Sequence, residues 1–196
     1  MLDKKPGDQI VIHLGLEYRR QRKKMSCWFA AARMLYNYRY PNRDFEEKLQ
    51  ESVDGRKMLE LYQQGRDIDS DEKSLEGNLE QWSVLTTGMG MQEVLPLPRD
   101  AREIGFLLRT KGPIWSAGYF FKGSSSKIGH IIVVVGLLKR KGFQGKLNDY
   151  LIINDPAPLK FNGGMEQTMM YSSFKSKLYD PKETDGESPM MYLPAP

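Results

Sequence analysis

The spacing of apolar residues separates a helical first part of the chain from a strand-rich second part. From Cys27 to Tyr38, apolar residues recur every three or four positions, which places them on one face of a helix. Ser26 is a natural N-cap directly before this helix, and Pro41 ends it. Weaker patterns predict further helices: two pieces in 44–64 with a break near Asp54-Gly55, a short helix around 75–82 and a helix over 99–110. Between them we expect an acidic loop at 67–71 and a second loop at 86–90.

The second part has the composition of β-strands. Residues 131–135 are all β-branched and predict a buried strand over 130–138, with further strands at 114–121 and 150–153. A looser alternation predicts an N-terminal strand at 9–18, and the remaining patterns predict a last short helix at 172–178 and a polar loop at 180–188. Helices followed by antiparallel strands indicate an α+β fold.

Length and composition limit what this fold can contain. A chain of 196 residues fits a single domain over 1–196, with a helical half at about 20–111, a sheet half at about 112–178, the strand 9–18 and a tail at 179–196. One cysteine excludes an intramolecular disulfide, and two histidines do not suffice for a His-rich metal site, so we expect no metal and no cofactor. We also expect no membrane span and no signal peptide, and therefore a protein that is cytoplasmic in the producing cell or secreted without a cleaved signal.

Part of the net charge of +4 comes from two basic clusters, at 19–24 and 139–141. Two interpretations of these clusters stay open, a binding surface for an anionic partner and a solvated rim that has no partner. No aromatic pattern of the kind that stacks on single-stranded bases interleaves them, and we expect no nucleic-acid partner.

A lone cysteine is most often a small buried hydrophobic residue. Cys27 differs because it directly follows Ser26, in the first turn of the predicted helix, where the helix N–H groups and macrodipole favour a negative charge. A thiol, with an ordinary pKa of ~8.5, becomes an effective nucleophile only as the thiolate. Cys27 is therefore a candidate nucleophile.

Two histidines are available as its base. His130 is the first residue of the Val-rich strand, where the backbone is held rigidly and we expect the ring to stay accessible. His13 lies in a weaker alternating stretch and is interpreted as a surface or strand histidine.

The remaining candidates are an orienting group and an oxyanion donor. Asn154 and Asp155 end the strand after that of His130, so an antiparallel hairpin would bring both beside the ring, although only one can point at it. The backbone N–H of Cys27 and the side-chain amide of Gln21 are the candidate donors to an oxyanion. Considered without the other residues, a glutamine in a basic loop would be interpreted as solvated.

These residues, in this order, resemble the papain-like cysteine peptidases. The motifs are Gln21 six positions before Cys27-Trp28, then Gly112-Pro113, Gly129-His130 and Asn154-Asp155-Pro156. The compact bacterial branch, with its bacteriocin-processing peptidases and effector proteases of pathogens, is more similar still. The resemblance implies a papain-like fold in which the cysteine helix packs on the antiparallel sheet, with Cys27 as nucleophile, His130 as general base and acid, and Gln21 as oxyanion amide. Because that branch orients its histidine with an aspartate before a proline, the resemblance favours Asp155 over Asn154.

The resemblance also implies a function. We expect hydrolysis of peptide or isopeptide bonds through a thioester on Cys27, a protein or peptide substrate, and a secreted bacterial effector or toxin that acts inside a target cell and has a cognate inhibitor or immunity protein. Two alternatives remain. The same residues could deamidate or transglutaminate glutamine, and a non-catalytic module with an inert Cys27 could bind a partner through its basic loops.

Overall fold

The structure of the protein is a computed structural model. It describes residues 2, 4–23, 26–64, 80–120, 129–142, 145–157, 163–184 and 186–195. The acidic loop predicted at 67–71 and most of the helix predicted at 75–82 lie outside these ranges.

The described residues form helices and strands in the α+β order expected from the sequence. The helices are α1 (Cys27–Arg39), α2 (Phe45–Gln50), α3 (Val53–Gln64), α4 (Glu80–Met89), α5 (Ala101–Lys111) and α6 (Tyr171–Lys175), with a 3-10 turn at Pro181–Thr184. The strands are β1 (Gln9–His13), β2 (Gln92–Glu93), β3 (Ile114–Gly118), β4 (His130–Lys141), β5 (Leu147–Asp155), β6 (Gly164–Met170) and β7 (Met190–Tyr192). Among the helices described, none is both long enough and apolar enough to cross a bilayer.

One antiparallel sheet, with the strand order β2-β7-β3-β4-β5-β6, holds the fold together. The central strand β4 is long enough to pair with β3 along its first half and with β1 along its second half. Its other edge pairs with β5, and this confirms the antiparallel hairpin predicted from the sequence. The hairpin matters for the site because it brings the end of β5 back toward His130 at the start of β4.

Helices cover both faces of the sheet because β4 is apolar on both sides. Ile131, Val133 and Val135 belong to a core that they share with α1, whereas Ile132 and Val134 belong to a second core that they share with α5. The helix that begins at Cys27 is thus held directly against the strand that begins at His130.

Two glycines lie where the helical segments approach one another closely. Gly55 is inside α3, and a Cβ there would lie 2.1 Å from the backbone oxygen of Leu49. Gly88 is inside α4, where a Cβ would lie 3.0 Å from the backbone carbon of Asp54. The predicted break near Asp54-Gly55 is therefore wrong, since the helices separate at 51–52, and the predicted loop at 86–90 is wrong because α4 continues to Met89. Both glycines permit close packing and do not end a helix.

The sequence did not predict β6 and β7. β7 is only three residues long, between Pro189 and Pro194, so it shows neither a usable alternation nor the length of an ordinary strand. It nevertheless lies between β2 and β3, and Met190 and Met191 are fully buried. The tertiary structure, and not a local pattern, determines this strand.

An ion pair connects Arg140 of β4 to Asp8, in the segment before β1. Two guanidinium nitrogens of Arg140 donate to the two carboxylate oxygens of Asp8, each at 2.8 Å, and the side chain of Asp8 is 0% exposed. The hydrogen bond from Arg140 is the main reason that the pKa of Asp8 falls to about 2.

We expect Asp8→Asn to lower the free energy of unfolding by roughly 3 kcal/mol at pH 7, because the buried guanidinium of Arg140 loses the negative charge of Asp8, which accepts two of its hydrogen bonds. The pKa of Asp8 is lowered in the folded state, so this stabilisation is complete above pH 3.8 and is lost as the pH falls through about 2. Urea denaturation at several pH values measures both effects. The control is Asp149→Asn, which removes the partly exposed pair with Lys139 and should cost less than about 1 kcal/mol. Equal costs for the two substitutions would contradict the prediction.

Candidate active site

Cys27 is the first residue of α1 and is 7% exposed, within the core that α1 shares with β4. Ser26 occupies the N-cap position, but its hydroxyl donates to the backbone oxygen of Lys23 at 2.7 Å and makes no capping bond to the helix. Ser26 is thus the N-cap residue, as predicted, but its side chain does not cap the N–H groups of the first turn.

His130 links the helix to the β4–β5 hairpin. Its Nε2 lies 2.6 Å from Oδ1 of Asp155, and the ring also forms a hydrogen bond with Cys27. The structure thus brings Cys27, His130 and Asp155, which come from three different elements, into one hydrogen-bonded series.

Charge and burial act on His130 in opposite directions. Burial lowers the pKa of the ring, but the hydrogen bonds and the electrostatic interactions with Asp155 and Cys27 outweigh it and raise the pKa from 6.5 to about 10. The ring is therefore an imidazolium at neutral pH. Because the folded-state pKa is raised, its contribution to stability is complete below pH 6.5 and is lost as the pH rises through about 10.

The two polar residues at the end of β5 have different partners. Asp155 accepts through Oδ1 from His130 and from the backbone N–H of Ala157 at 2.9 Å. Asn154 instead accepts through Oδ1 from the backbone N–H of Glu166 at 2.8 Å. Asp155, and not Asn154, contacts the imidazole.

Gln21 lies between the end of β5 and the start of α1. Its backbone N–H donates to the oxygen of Pro156 at 2.8 Å, and its side-chain amide donates to the oxygen of Lys23 at 3.1 Å. The same Lys23 oxygen accepts from Ser26, the residue before Cys27. Gln21 is only 8% exposed, so it is not the solvated loop residue that its basic surroundings alone would suggest.

Tyr18 is a residue of this site that the sequence did not reveal. Its hydroxyl donates to the backbone oxygen of Asp155 at 3.0 Å and lies 3.4 Å from the oxygen of Ala157. Burial, and to a smaller extent the charge of Asp155, raises the pKa of Tyr18 to about 12, so the hydroxyl keeps the proton that it donates. Nothing in the sequence connects residues 137 positions apart, and only the fold shows this contact.

The ring of His130 is more enclosed than predicted. It was expected to be accessible at the start of its strand, but His130 is 4% exposed. On the preceding residue, Gly129, a Cβ would lie 1.8 Å from the hydroxyl of Tyr179, so this position admits no side chain while Tyr179 is in place. His13 takes no part in the site, because its ring pairs with Glu166 at 3.0 Å.

A cysteine at the start of a helix, packed on an antiparallel sheet that carries a His–Asp pair, is the arrangement of a papain-like cysteine protease. The model of one protein family, described as papain-like cysteine protease AvrRpt2, matches residues 10–178. The chain belongs to this family and is a papain-like cysteine protease. A search of curated proteins and a search of solved structures each returned no match.

The family match confirms three predictions made from the sequence: the resemblance to papain-like peptidases of the effector type, the α+β fold class and the assignment as a thiol protease. It also argues against the alternative of a non-catalytic binding module. A protease acts on a protein or peptide substrate, as expected.

Proposed function

We propose that the protein hydrolyses peptide bonds of a target protein with Cys27 as nucleophile and His130 as general base and acid. Asp155 orients the ring of His130, and the backbone N–H of Cys27 and the amide of Gln21 hold the oxyanion. The observation that supports these roles is the buried series of hydrogen bonds from Cys27 through His130 to Asp155.

In the first half of the reaction, the Cys27 sulfur forms a bond to the carbonyl carbon of the substrate and the carbonyl oxygen becomes an oxyanion. His130 gives its proton to the leaving amine as the C–N bond breaks, and a thioester remains. In the second half, His130 takes a proton from water, the resulting hydroxide attacks the thioester, and the acid product leaves as the Cys27 thiolate reforms. Throughout, the carboxylate of Asp155 holds the ring and stabilises its positive charge.

The pH dependence of Cys27 alkylation tests this pairing without any knowledge of the substrate. Because His130 stays protonated to about pH 10, it keeps a positive charge beside the sulfur at acidic and neutral pH. We expect iodoacetamide to modify Cys27 at pH 6 at least about tenfold faster than free cysteine, of which little is thiolate at that pH. Mass spectrometry of the modified peptide gives the rate. His130→Ala should remove the advantage, and equal rates for Cys27 and free cysteine would contradict the pairing.

Gln21 offers a test that separates oxyanion binding from thiol activation. We expect Gln21→Ala to lower kcat about 10²-fold, because one donor to the developing oxyanion is lost. Alkylation of the thiol develops no oxyanion, so the rate of iodoacetamide modification should stay unchanged. A parallel fall of both rates would mean that Gln21 only holds the loop before α1.

We further propose that the enzyme is a secreted effector or toxin that acts inside a target cell, and that a cognate inhibitor protects the cell that makes it. The match to an effector-type family supports this setting. Treating a lysate of candidate target cells with the enzyme and sequencing the new protein N-termini tests hydrolysis. Products that gain about one dalton per glutamine without new termini would instead identify a deamidase.

A further inference from the structure

The basic segment at 19–24 is not a flat rim, because part of it lines a concave pocket beside the site. We call this pocket the arginine pocket and define it by Arg19, Arg20, Arg22 and Arg33 together with Gln21 and Ser26. Its volume is about 310 Å³, which corresponds to roughly ten water molecules and leaves room for a side chain.

The arginine pocket has an excess of positive charge. None of the described residues that line it is acidic. Arg19 pairs with Glu17 at 2.7 Å and Arg33 with Glu46 at 3.3 Å. Arg20 and Arg22 are exposed and have no carboxylate partner among the described residues. Within the described part of the chain, two guanidinium groups at one pocket thus have no paired carboxylate.

The pocket also contains polar atoms that have no hydrogen-bond partner among the described residues. The Nε atoms of Arg19 and Arg33 are buried, as is Oε1 of Gln21, and none of the three has a hydrogen-bond partner in the described part of the chain. A buried polar atom without a partner costs about 1–3 kcal/mol. Because these three atoms are almost inaccessible, a substrate carboxylate would instead meet the exposed side chains of Arg20 and Arg22.

The position of the pocket connects it to the reaction. Gln21, the proposed oxyanion donor, lines the pocket and bonds through its backbone to Pro156, the residue after Asp155. Ser26, which also lines it, directly precedes Cys27. A substrate chain whose carbonyl lies at Cys27 and Gln21 therefore passes within a few residues of the arginines.

We infer that the arginine pocket is a specificity site for an acidic side chain of the substrate, Asp or Glu, within three residues of the scissile bond. This inference rests on the proposed function, since it places the substrate by the roles of Cys27 and Gln21. Arg20 and Arg22 supply charge-assisted hydrogen bonds to the carboxylate, and such bonds fix orientation as well as affinity.

Cleavage-site profiling tests the inference directly. A proteome-derived peptide library treated with the wild-type enzyme should show Asp or Glu enriched at one position within three residues of the cut. Two peptides with the preferred site, identical except for Glu or Gln at that position, then give the ratio of kcat/KM values. We expect the wild type to prefer Glu by tenfold or more, and the double variant Arg20→Gln/Arg22→Gln to bring the ratio close to one.

The matched control is the double variant Lys139→Gln/Lys141→Gln, which makes the same change of charge in the other basic cluster. It should keep the wild-type ratio. If both double variants lose the preference equally, the effect is long-range electrostatic attraction and the specificity site is refuted.

A binding measurement keeps this inference separate from the proposed mechanism. Immobilised Cys27→Ala protein retains the arginine pocket whether or not the chain hydrolyses peptides. It should retain Asp- and Glu-containing peptides of the library more strongly than the variant that also carries Arg20→Gln/Arg22→Gln. Equal retention, or cleavage sites without acidic enrichment, would overturn the inference. If Cys27→Ala retains acidic peptides but the wild-type enzyme hydrolyses no peptide, the arginine pocket is supported and the proposed function is contradicted.

Discussion

Replacing Cys27 by alanine is expected to lower kcat for peptide hydrolysis by at least about 10⁴-fold. Without the sulfur no thioester forms, and only the oxyanion donors and substrate binding remain to accelerate the attack of water. A fluorogenic peptide chosen from the cleavage-site profile, assayed at saturating concentration, measures the loss. Retention of more than a tenth of the activity would exclude Cys27 as the nucleophile.

The fold should survive this substitution, so the loss can be assigned to chemistry. Cys27 is almost buried, but alanine removes only one atom, and we expect a change in unfolding free energy on the order of 1 kcal/mol. Thermal denaturation of Cys27→Ala and Cys27→Ser beside the wild type checks this. Cys27→Ser keeps a polar atom beside His130, yet a hydroxyl is far less acidic than a thiol and does not form the attacking anion beside a protonated ring, so this variant should be nearly as inactive.

Asp155→Ala is expected to lower kcat about 10³-fold, because the ring of His130 loses both its orientation and the negative charge that stabilises its protonated form. The same charge helps to raise the pKa of His130, so its removal should also weaken the positive charge beside the sulfur and slow the alkylation of Cys27 at pH 6. A purely structural role would leave that rate unchanged. Asp155→Asn, which keeps an acceptor oxygen without the charge, should slow the alkylation similarly with a smaller loss of kcat.

The neighbouring residue provides the matched control. Asn154 bonds to the backbone of Glu166 and not to the ring, so Asn154→Ala should cost about 1 kcal/mol of stability and less than about threefold in kcat. Stopped assays over pH 5–11 with both variants distinguish the two residues. A larger loss for Asn154→Ala than for Asp155→Ala would reverse the assignment.

The parts of the fold that were predictable are those in which apolar residues recur with a regular spacing along the chain. α1 and β4 have continuous apolar patterns, α5 has Gly112-Pro113 directly after its last residue, and all three were predicted close to their observed bounds. The glycines of α3 and α4 misled the prediction because their role is close packing against another segment, which no local pattern records. β7 was missed for a similar reason, since its three residues are buried by strands distant in sequence.

The candidate site was predictable to the extent that chemistry restricted the choice. With one cysteine and two histidines, few combinations were possible, and the antiparallel order of β4 and β5 placed Asn154 and Asp155 near His130. The partners of Ser26 and the enclosure of His130 depend on side-chain packing and could not be derived. The contact from Tyr18 to the backbone of Asp155 had no sequence signal at all.

The place of β7 has a consequence for how the chain folds during its synthesis. β3 pairs with β4 on one edge and with β7 on the other, and β7 leaves the ribosome only after all the other strands have been made. Until then the edge of β3 that pairs with β7 has no partner strand, and an unpaired edge readily forms hydrogen bonds with a strand of another chain. A chain that ends at Pro189, and so lacks β7, should therefore aggregate. A chain that lacks residues 1–8 keeps β7 and should leave that edge of β3 paired.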